Sequence, residues 1–237
     1  MLPILHLVQT VNRPIYEQLQ LEEALLRTDN RNWCLINQGT PPAIVMGISG
    51  KPEHLIDAKI MQQRPIPLIR RFSGGGTVIV DEDTYFLTYI CQNQILENVN
   101  PQQIMRWTES LYRPVFENHD FSLIDNDYVL GSKKFGGNAQ YICKERWLHH
   151  TSFLWDYTDL NMKYLLMPKK TPNYREGRAH ADFLCRLSDF LPSRETLLDK
   201  LIHVLRENFI VRETSWEEAE KTLEQPHRKA TILVDFP

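Results

Sequence analysis

Arg70-Arg71-Phe72-Ser73-Gly74-Gly75-Gly76-Thr77-Val78 is the stretch on which the reading of this chain turns. Strand-like segments flank it, Pro67 to Arg71 before and Thr77 to Val80 after. Three consecutive glycines between strands sacrifice conformational entropy unless the backbone needs positive φ or something must approach it closely. Adjacent unhindered N–H groups beside two guanidiniums suit an anion, and arginine offers a planar fork for phosphate or carboxylate. The plain alternative is a glycine-rich turn next to a solvated arginine pair. On the first reading, Gly75→Val is expected to harm ligand binding more than stability.

A second glycine cluster follows, Gly131-Ser132-Lys133-Lys134-Phe135-Gly136-Gly137-Asn138-Ala139. Its glycine spacing is nearly that of a P-loop, but Gly137-Asn138 stands where Lys-Ser/Thr is required, which excludes one. What remains is a lysine beside a glycine pair in a strand, able to set an ammonium against a phosphate or an acyl carbonyl. Lys133 should then point to the other strand face. His149 and His150 are adjacent in a strand pattern, so their side chains diverge and cannot share a metal. Asp125-Asn126-Asp127 has oxygens for a hard cation, although such clusters more often form turns. Gly47-Ile48-Ser49-Gly50-Lys51 lacks the last glycine of a nucleophile elbow and Arg71-Phe72-Ser73-Gly74-Gly75 the first, which argues against a serine hydrolase.

Outward from these clusters, strand and helix patterns alternate. The opening Met1 to Val8 reads as a strand, having neither the basic flank nor the long apolar core of a signal peptide. Pro14 to Thr28 reads as a helix with Ile15, Leu19 and Leu26 on one face, and Pro52 to Gln63 as another. Trp33 to Gln38, Ala43 to Gly47 and Tyr85 to Cys91 read as strands, as do Phe135 to Ile142 and Trp147 to Trp155. Pro101 to Phe116 is an amphipathic helix bent or ended near Pro114. Ser193 and Ser215 cap two further helices, with Glu218 in capping-box register after Ser215.

The 237 residues, 42% hydrophobic and 24% charged, fit one large globular domain and argue against disorder, collagen and coiled coil. No apolar run approaches the roughly 20 residues that cross a bilayer. A formal charge of −3 is a poor footprint for nucleic acid. Four widely spaced cysteines, Cys34, Cys91, Cys143 and Cys185, form no CxxC pair and suggest free thiols in a reducing cytoplasm.

Arg71-x-Ser73-Gly74-Gly75-Gly76-Thr77-Val78, Asn126-Asp127, Lys134-x-Gly136-Gly137-Asn138-Ala139 and His149-His150 occur in one order. Together they resemble the pattern of the lipoate-protein ligases, within the biotin/lipoate ligase superfamily. Leu21-Glu22-Glu23-Ala24-Leu25-Leu26 belongs to the same likeness, which spans roughly Leu5 to Leu205. The resemblance implies an α+β fold, a mixed and mostly antiparallel sheet flanked by helices. It implies a single catalytic domain over 1–237, helical from about 188 to 237, with no large accessory domain.

The family reaction makes lipoyl-AMP and pyrophosphate from lipoate and MgATP, then passes the acyl group to a carrier lysine. The implied carriers are apo lipoyl domains, those of 2-oxoacid dehydrogenase E2 subunits and the glycine cleavage H protein; neither nucleic acid nor membrane is an expected partner. By resemblance Lys134 is catalytic, Arg71 and the Ser73 to Thr77 backbone contact the acyl-adenylate, and Asp127 places Mg²⁺. Val78, Asn126, Gly136, Gly137, Asn138, Ala139 and His150 complete the implied site. The chain departs from the pattern at Val80-Asp81, where the family has His before the Asp, and at Thr151, where it has Gly. Many members carry an extra C-terminal domain, so this chain is expected either to suffice alone or to need a separate accessory subunit. The expected location is the cytoplasm, with an organelle left open.

Two rival functions remain at this stage. An octanoyl- or lipoyl-transferase working without ATP needs a nucleophilic cysteine, and 119–127 holds none; Cys143 is the nearest candidate, read as an ordinary buried strand thiol. A non-catalytic acyl-AMP-binding protein is the other. A biotin ligase lacks support because its GRGRxxR-type loop is missing.

Overall fold

The computed structural model describes residues 2–167 and 172–236. Among these residues twelve strands form two sheets. The larger contains β1 (Ile4–Val11), β2 (Trp33–Gln38), β6 (Thr84–Gln92), β7 (Phe121–Ile124), β8 (Asp127–Leu130), β9 (Lys133–Ile142), β10 (Arg146–Leu154) and β11 (Ile210–Glu213). Their spatial order is β11-β1-β2-β6-β10-β9-β8-β7. β3 (Ala43–Met46), β4 (Leu68–Arg70), β5 (Val78–Val80) and β12 (Ile232–Leu233) form the smaller sheet, ordered β12-β4-β3-β5.

Parallel pairing occurs only where a helical crossover intervenes, as chain connectivity requires. β1 runs parallel to β2 across α1 (Ile15–Thr28), and to β11 after the helices that precede it. β3 runs parallel to β4 across α2 (Pro52–Leu55) and α3 (Ala58–Gln63). The remaining pairs, including the β9–β10 hairpin, are antiparallel, so the sheet is mixed and mostly antiparallel as the resemblance implied.

α1 is sandwiched. Ile15 and Leu19 pack on Val45, Val80 and Phe86, while Leu21, Leu25 and Leu26 pack on Val8, Trp33 and Leu35. A helix buried on two sides needs apolar residues beyond one stripe, which is why the single face of Ile15, Leu19 and Leu26 understates its contacts. α4 (Pro101–Tyr112), capped by Asn100, and α7 (Arg194–Asn208), capped by Ser193, cover the opposite face of the large sheet. The remaining helices are α5 (Asp159–Met162), α6 (His180–Phe183) and α8 (Trp216–Glu220), the last capped by Ser215 as expected. No helix among the described residues is long and apolar enough to cross a membrane.

Several boundaries differ from the sequence reading. Pro52 to Gln63 is two helices, because Ile56 is extended and pairs with Leu165 while the Asp57 carboxylate caps a new start at Ile60 N–H. β7 and β8 were unforeseen; Asp125-Asn126, weighed both as cation oxygens and as turn material, is the tip of their hairpin, with Asp125 at φ 54°. The 188–237 part, expected to be helical, also supplies the edge strands β11 and β12.

Candidate active site

The glycine loop joins β4 to β5, and one of its glycines is fixed by backbone geometry. Gly75 has φ 100°, and a Cβ there would lie 2.7 Å from Arg71 Nη2 and 3.1 Å from Ala139 Cβ. Any side chain would therefore strain the fold itself, which corrects the expectation that Gly75→Val would act mainly on ligand. Gly74 and Gly76 have neither a positive φ nor a neighbour within 4 Å of a built Cβ. Glycine at those two positions is not demanded by packing, and of the two Gly76 lines both cavities that meet at this loop, where a bare backbone permits close approach of a ligand. Gly47 backs the loop, since a Cβ there would clash with the Gly75 carbonyl.

Arg71 organises this loop from inside. It is 3% exposed. Its Nε donates to Ser73 Oγ at 3.1 Å and to the Gly74 carbonyl at 3.1 Å, and Nη2 donates to the carbonyls of Gly74 and Gly76, both at 2.8 Å. Burial lowers its pKa to about 10, opposed by the Glu22 carboxylate, so it stays charged at neutral pH. Ser73 is fully buried, and its carbonyl accepts from Ile48 N–H at 3.0 Å.

Two cavities meet at this loop. The smaller, about 110 Å³, has an apolar end of Ile15, Leu19, Val45, Val80 and Phe86. Its other end is polar, and there sequence reasoning missed residues: Glu22 is fully buried yet lines it beside Gln18, Thr88 and His150. Glu22 Oε1 accepts from Gln18 Nε2 at 2.8 Å and Thr88 Oγ1 at 2.7 Å, while Oε2 lies 3.1 Å from His150 Nδ1. A carboxylate pair set between Leu21 and Ala24-Leu25-Leu26 was the available signal. Glu23 serves differently, accepting from Ala230 and Thr231 N–H and so tying the C-terminal tail to α1.

The larger cavity, about 750 Å³, includes Asn126, Asp127 and Leu154 in its wall. Gly76, Thr77, Val78, Lys134, Gly137 and Ser152 line both cavities. Lys134 Nζ is 2.6 Å from Asp127 Oδ1, and Tyr174 Oη donates to Asp127 Oδ2 at 2.8 Å. Burial, then the Asp127 charge, raises the Tyr174 pKa and keeps that hydroxyl protonated.

A bulge aims Lys134. Tyr128 pairs with Gly136 but Val129 with Lys134, so β9 carries one extra residue at that point. Phe135 turns into the core while Lys134 and Gly137, three apart, reach the same cavities. Strict alternation would have put them on opposite faces, and bulges re-aim side chains in this way. Lys133 is exposed.

The histidines diverge as their spacing required. His150 faces the small cavity; His149 is fully buried on the other face. Burial, then His150, lowers the His149 pKa to about 3, so its ring is neutral. Gln140 Nε2 lies 3.1 Å from Nδ1 and donates to it, which puts the ring proton on Nε2, near Thr151 Oγ1 (3.2 Å) and Tyr128 Oη (3.3 Å). Thr151 Oγ1 donates to Asn138 Oδ1 at 2.9 Å, and Asn138 Nδ2 to the Asn126 carbonyl at 3.1 Å. This chain links the departure at Thr151 to the turn that carries Asp127.

Thus Arg71, Gly76, Thr77, Val78, Asn126, Asp127, Lys134, Gly137, Asn138, Ala139 and His150 all line one or both cavities. Ser73, Gly74, Gly75 and Gly136 line neither. No cysteine among the described residues does so. Cys34, Cys91 and Cys185 are buried, and burial raises the thiols of Cys91 to about 12 and Cys185 to about 11. Cys143 is exposed, contrary to the expectation of a buried strand thiol, because β9 ends at Ile142.

Residues 14–210 match the family model of the lipoyl protein ligase A/B catalytic domain. The chain belongs to that family. A Plasmodium falciparum (isolate 3D7) relative named "Inactive lipoate-protein ligase 2" is 27% identical over 84% of this chain and 68% of its own length. Lipoate-protein ligase LplJ of Bacillus subtilis (strain 168) is 23% identical over 85% of this chain, which spans 61% of LplJ. Among solved structures, a bi-partite lipoate protein ligase from Thermoplasma acidophilum superposes with TM-score 0.77 at 18% identity, covering 94% of this chain and 91% of that one. A lipoate-protein ligase A bound with ATP gives 0.75 at 19%, covering 94% and 92%. At such identities these structures speak for the lipoyl ligase fold.

Proposed function

We propose that this chain is an ATP-dependent lipoate-protein ligase that activates lipoate, or octanoate, as its acyl-AMP and transfers the acyl group to a lysine of a lipoyl domain. The observation that carries the reading is Lys134 in the wall shared by a small cavity with an apolar end and a larger one whose wall includes Asp125, Asp127 and Arg175. The acyl chain takes the small cavity, with its carboxylate at the shared wall; the nucleotide takes the larger. A carboxylate oxygen attacks the α-phosphorus, and pyrophosphate leaves with the electron pair of the broken P–O bond. Negative charge builds there, where the Lys134 ammonium and the unhindered Gly76 to Thr77 backbone can meet it. A deprotonated carrier lysine then attacks the acyl carbonyl, and AMP leaves.

Among the described residues, no three carboxylate, His or Cys groups cluster as a metal cage. Mg²⁺ does not need one, since it takes one or two carboxylates together with phosphate oxygens and water. Asp127, with Asp125 on the same cavity, fits that demand. Bound there, Mg²⁺ would supply charge neutralisation on the phosphates.

The structural neighbour from T. acidophilum, described with its E2 lipoyl domain, supports E2 lipoyl domains as carriers. The glycine cleavage H protein follows from the family resemblance. That neighbour's bi-partite make-up supports a separate accessory subunit. The relative named inactive favours a second reading, in which the chain binds acyl-AMP without turning it over. A mass assay decides: the chain with lipoate, MgATP and an apo lipoyl domain should add one lipoyl group to the domain. Retention of acyl-AMP without transfer, even with an accessory chain, would establish the second reading instead.

A further inference from the structure

The larger cavity holds a cation that the chemistry above leaves without a task. Arg175 ends a single 3-10 turn, Asn173–Arg175, and is 4% exposed. Its guanidinium sits over the Phe183 ring, 4.7 Å from the centroid, and its Nε donates to the Arg178 carbonyl at 2.9 Å. Nη2 is buried and has no hydrogen-bond partner among the described residues. A buried guanidinium N–H without an acceptor bears its full desolvation cost, so such groups are rare unless a ligand completes them.

The surroundings narrow what that ligand is. Arg178, three residues on, is committed: its N–H groups donate to the carbonyls of Ser132, Tyr174 and Arg175. Asp127 is engaged by Lys134 and Tyr174. Arg175 lines the larger cavity and not the smaller, whereas Lys134 lines both. Moving outward from the acyl end, Lys134 comes at the junction and Arg175 beyond it. A planar fork beyond the α-phosphate suits the oxygens that follow it.

We propose that Arg175 binds the β- and γ-phosphate oxygens of the nucleoside triphosphate and the pyrophosphate they become. This assignment rests on the ligase reading. When the bond to the α-phosphorus breaks, its electron pair goes to the bridging oxygen, and Arg175 meets the charge gained by the leaving pyrophosphate.

The test is calorimetric titration of the full chain, with Mg²⁺, using α,β-methylene-ATP and, separately, AMP. Arg175→Gln should weaken the triphosphate analogue by about tenfold or more while changing AMP by less than about twofold. Arg175→Lys, which keeps the charge but loses the fork, should fall between. Thermal melts without nucleotide establish folding, and if Arg175→Gln does not fold, the Arg175→Lys comparison decides. Equal losses for both nucleotides, or no loss for either, would overturn the assignment. A wild-type chain that binds neither nucleotide would overturn the ligase reading itself and this assignment with it, a pattern distinct from a variant that merely binds as wild type does.

Discussion

Arg71 and Lys134 are both cations on the wall of the small cavity, and they are built for different work. Arg71 directs its donors inward, to one serine hydroxyl and the carbonyls of its own loop. Lys134 reaches outward from a strand bulge and has one ion-pair partner among the described residues, Asp127. The side chain that holds a backbone is rigid and spent; the one that must meet a changing charge has few ties to break. Charge and position in a motif do not separate the two roles, and donor accounting does.

The largest effect is expected at Lys134. Lys134→Ala should cut lipoate-dependent pyrophosphate exchange by about 10²- to 10³-fold, with an unchanged melting temperature, and Lys133→Ala should leave exchange near wild type. Reversed results for the two lysines would break the comparison. Arg71→Ala should behave oppositely, costing about 2–4 kcal/mol in urea unfolding because the carbonyls of Gly74 and Gly76 lose buried donors. Arg71→Lys should not rescue it, since a single ammonium cannot span those acceptors.

The glycines sharpen the same contrast. Gly75→Ala should destabilise by about 1–3 kcal/mol through its positive φ and its clash with Arg71. Gly76→Ala, with open space around it, should stay within about 0.5 kcal/mol of wild type yet weaken binding of a non-hydrolysable lipoyl-AMP analogue. Equal affinity in Gly76→Ala would reduce the loop to a turn.

His149 contributes a pH dependence. Its folded pKa, lowered to about 3, lies below the ordinary 6.5, so between those values the unfolded chain binds the extra proton. The stability from a neutral His149 is therefore present above about pH 6.5 and is lost as pH falls toward 3, by at most about 1.4 kcal/mol per pH unit. His149→Gln should flatten the melting-temperature profile from pH 6.5 down to 4. The smallest effect is expected at Cys143, where Cys143→Ser should leave acyl transfer from lipoate and ATP unchanged. ATP-free transfer from an octanoyl carrier, lost in that variant, would replace the ligase with a transferase.

The sequence was most legible where a local rule acts alone. Ser193 and Ser215 cap helices because a hydroxyl near free N–H groups needs nothing distant. His149 and His150 diverge, and so do Lys133 and Lys134, because neighbours in a strand must. It was least legible where two segments compete for one atom. Nothing local shows that Arg71 donates to its own loop or that Tyr174 holds Asp127 from 47 positions away.

By itself, then, the sequence determined a glycine loop between two strands, a lysine–glycine strand and a family resemblance that the 14–210 match bears out. Those properties follow from spacing and backbone freedom, which the chain carries in any context. Tertiary structure alone decided which glycine is needed for the fold, which cation is spent, and which face Lys134 takes after the bulge at Phe135. It also decided that Glu22 is a cavity wall and Glu23 an anchor, though the two are adjacent. The physical reason is that each role depends on what the fold brings against the group: Ala139 and the Arg71 guanidinium against Gly75, the curved glycine loop around Arg71, the β8 register at Phe135, and for the two glutamates partners from distant parts of the chain, Thr88 and His150 for Glu22 and the tail's N–H groups for Glu23.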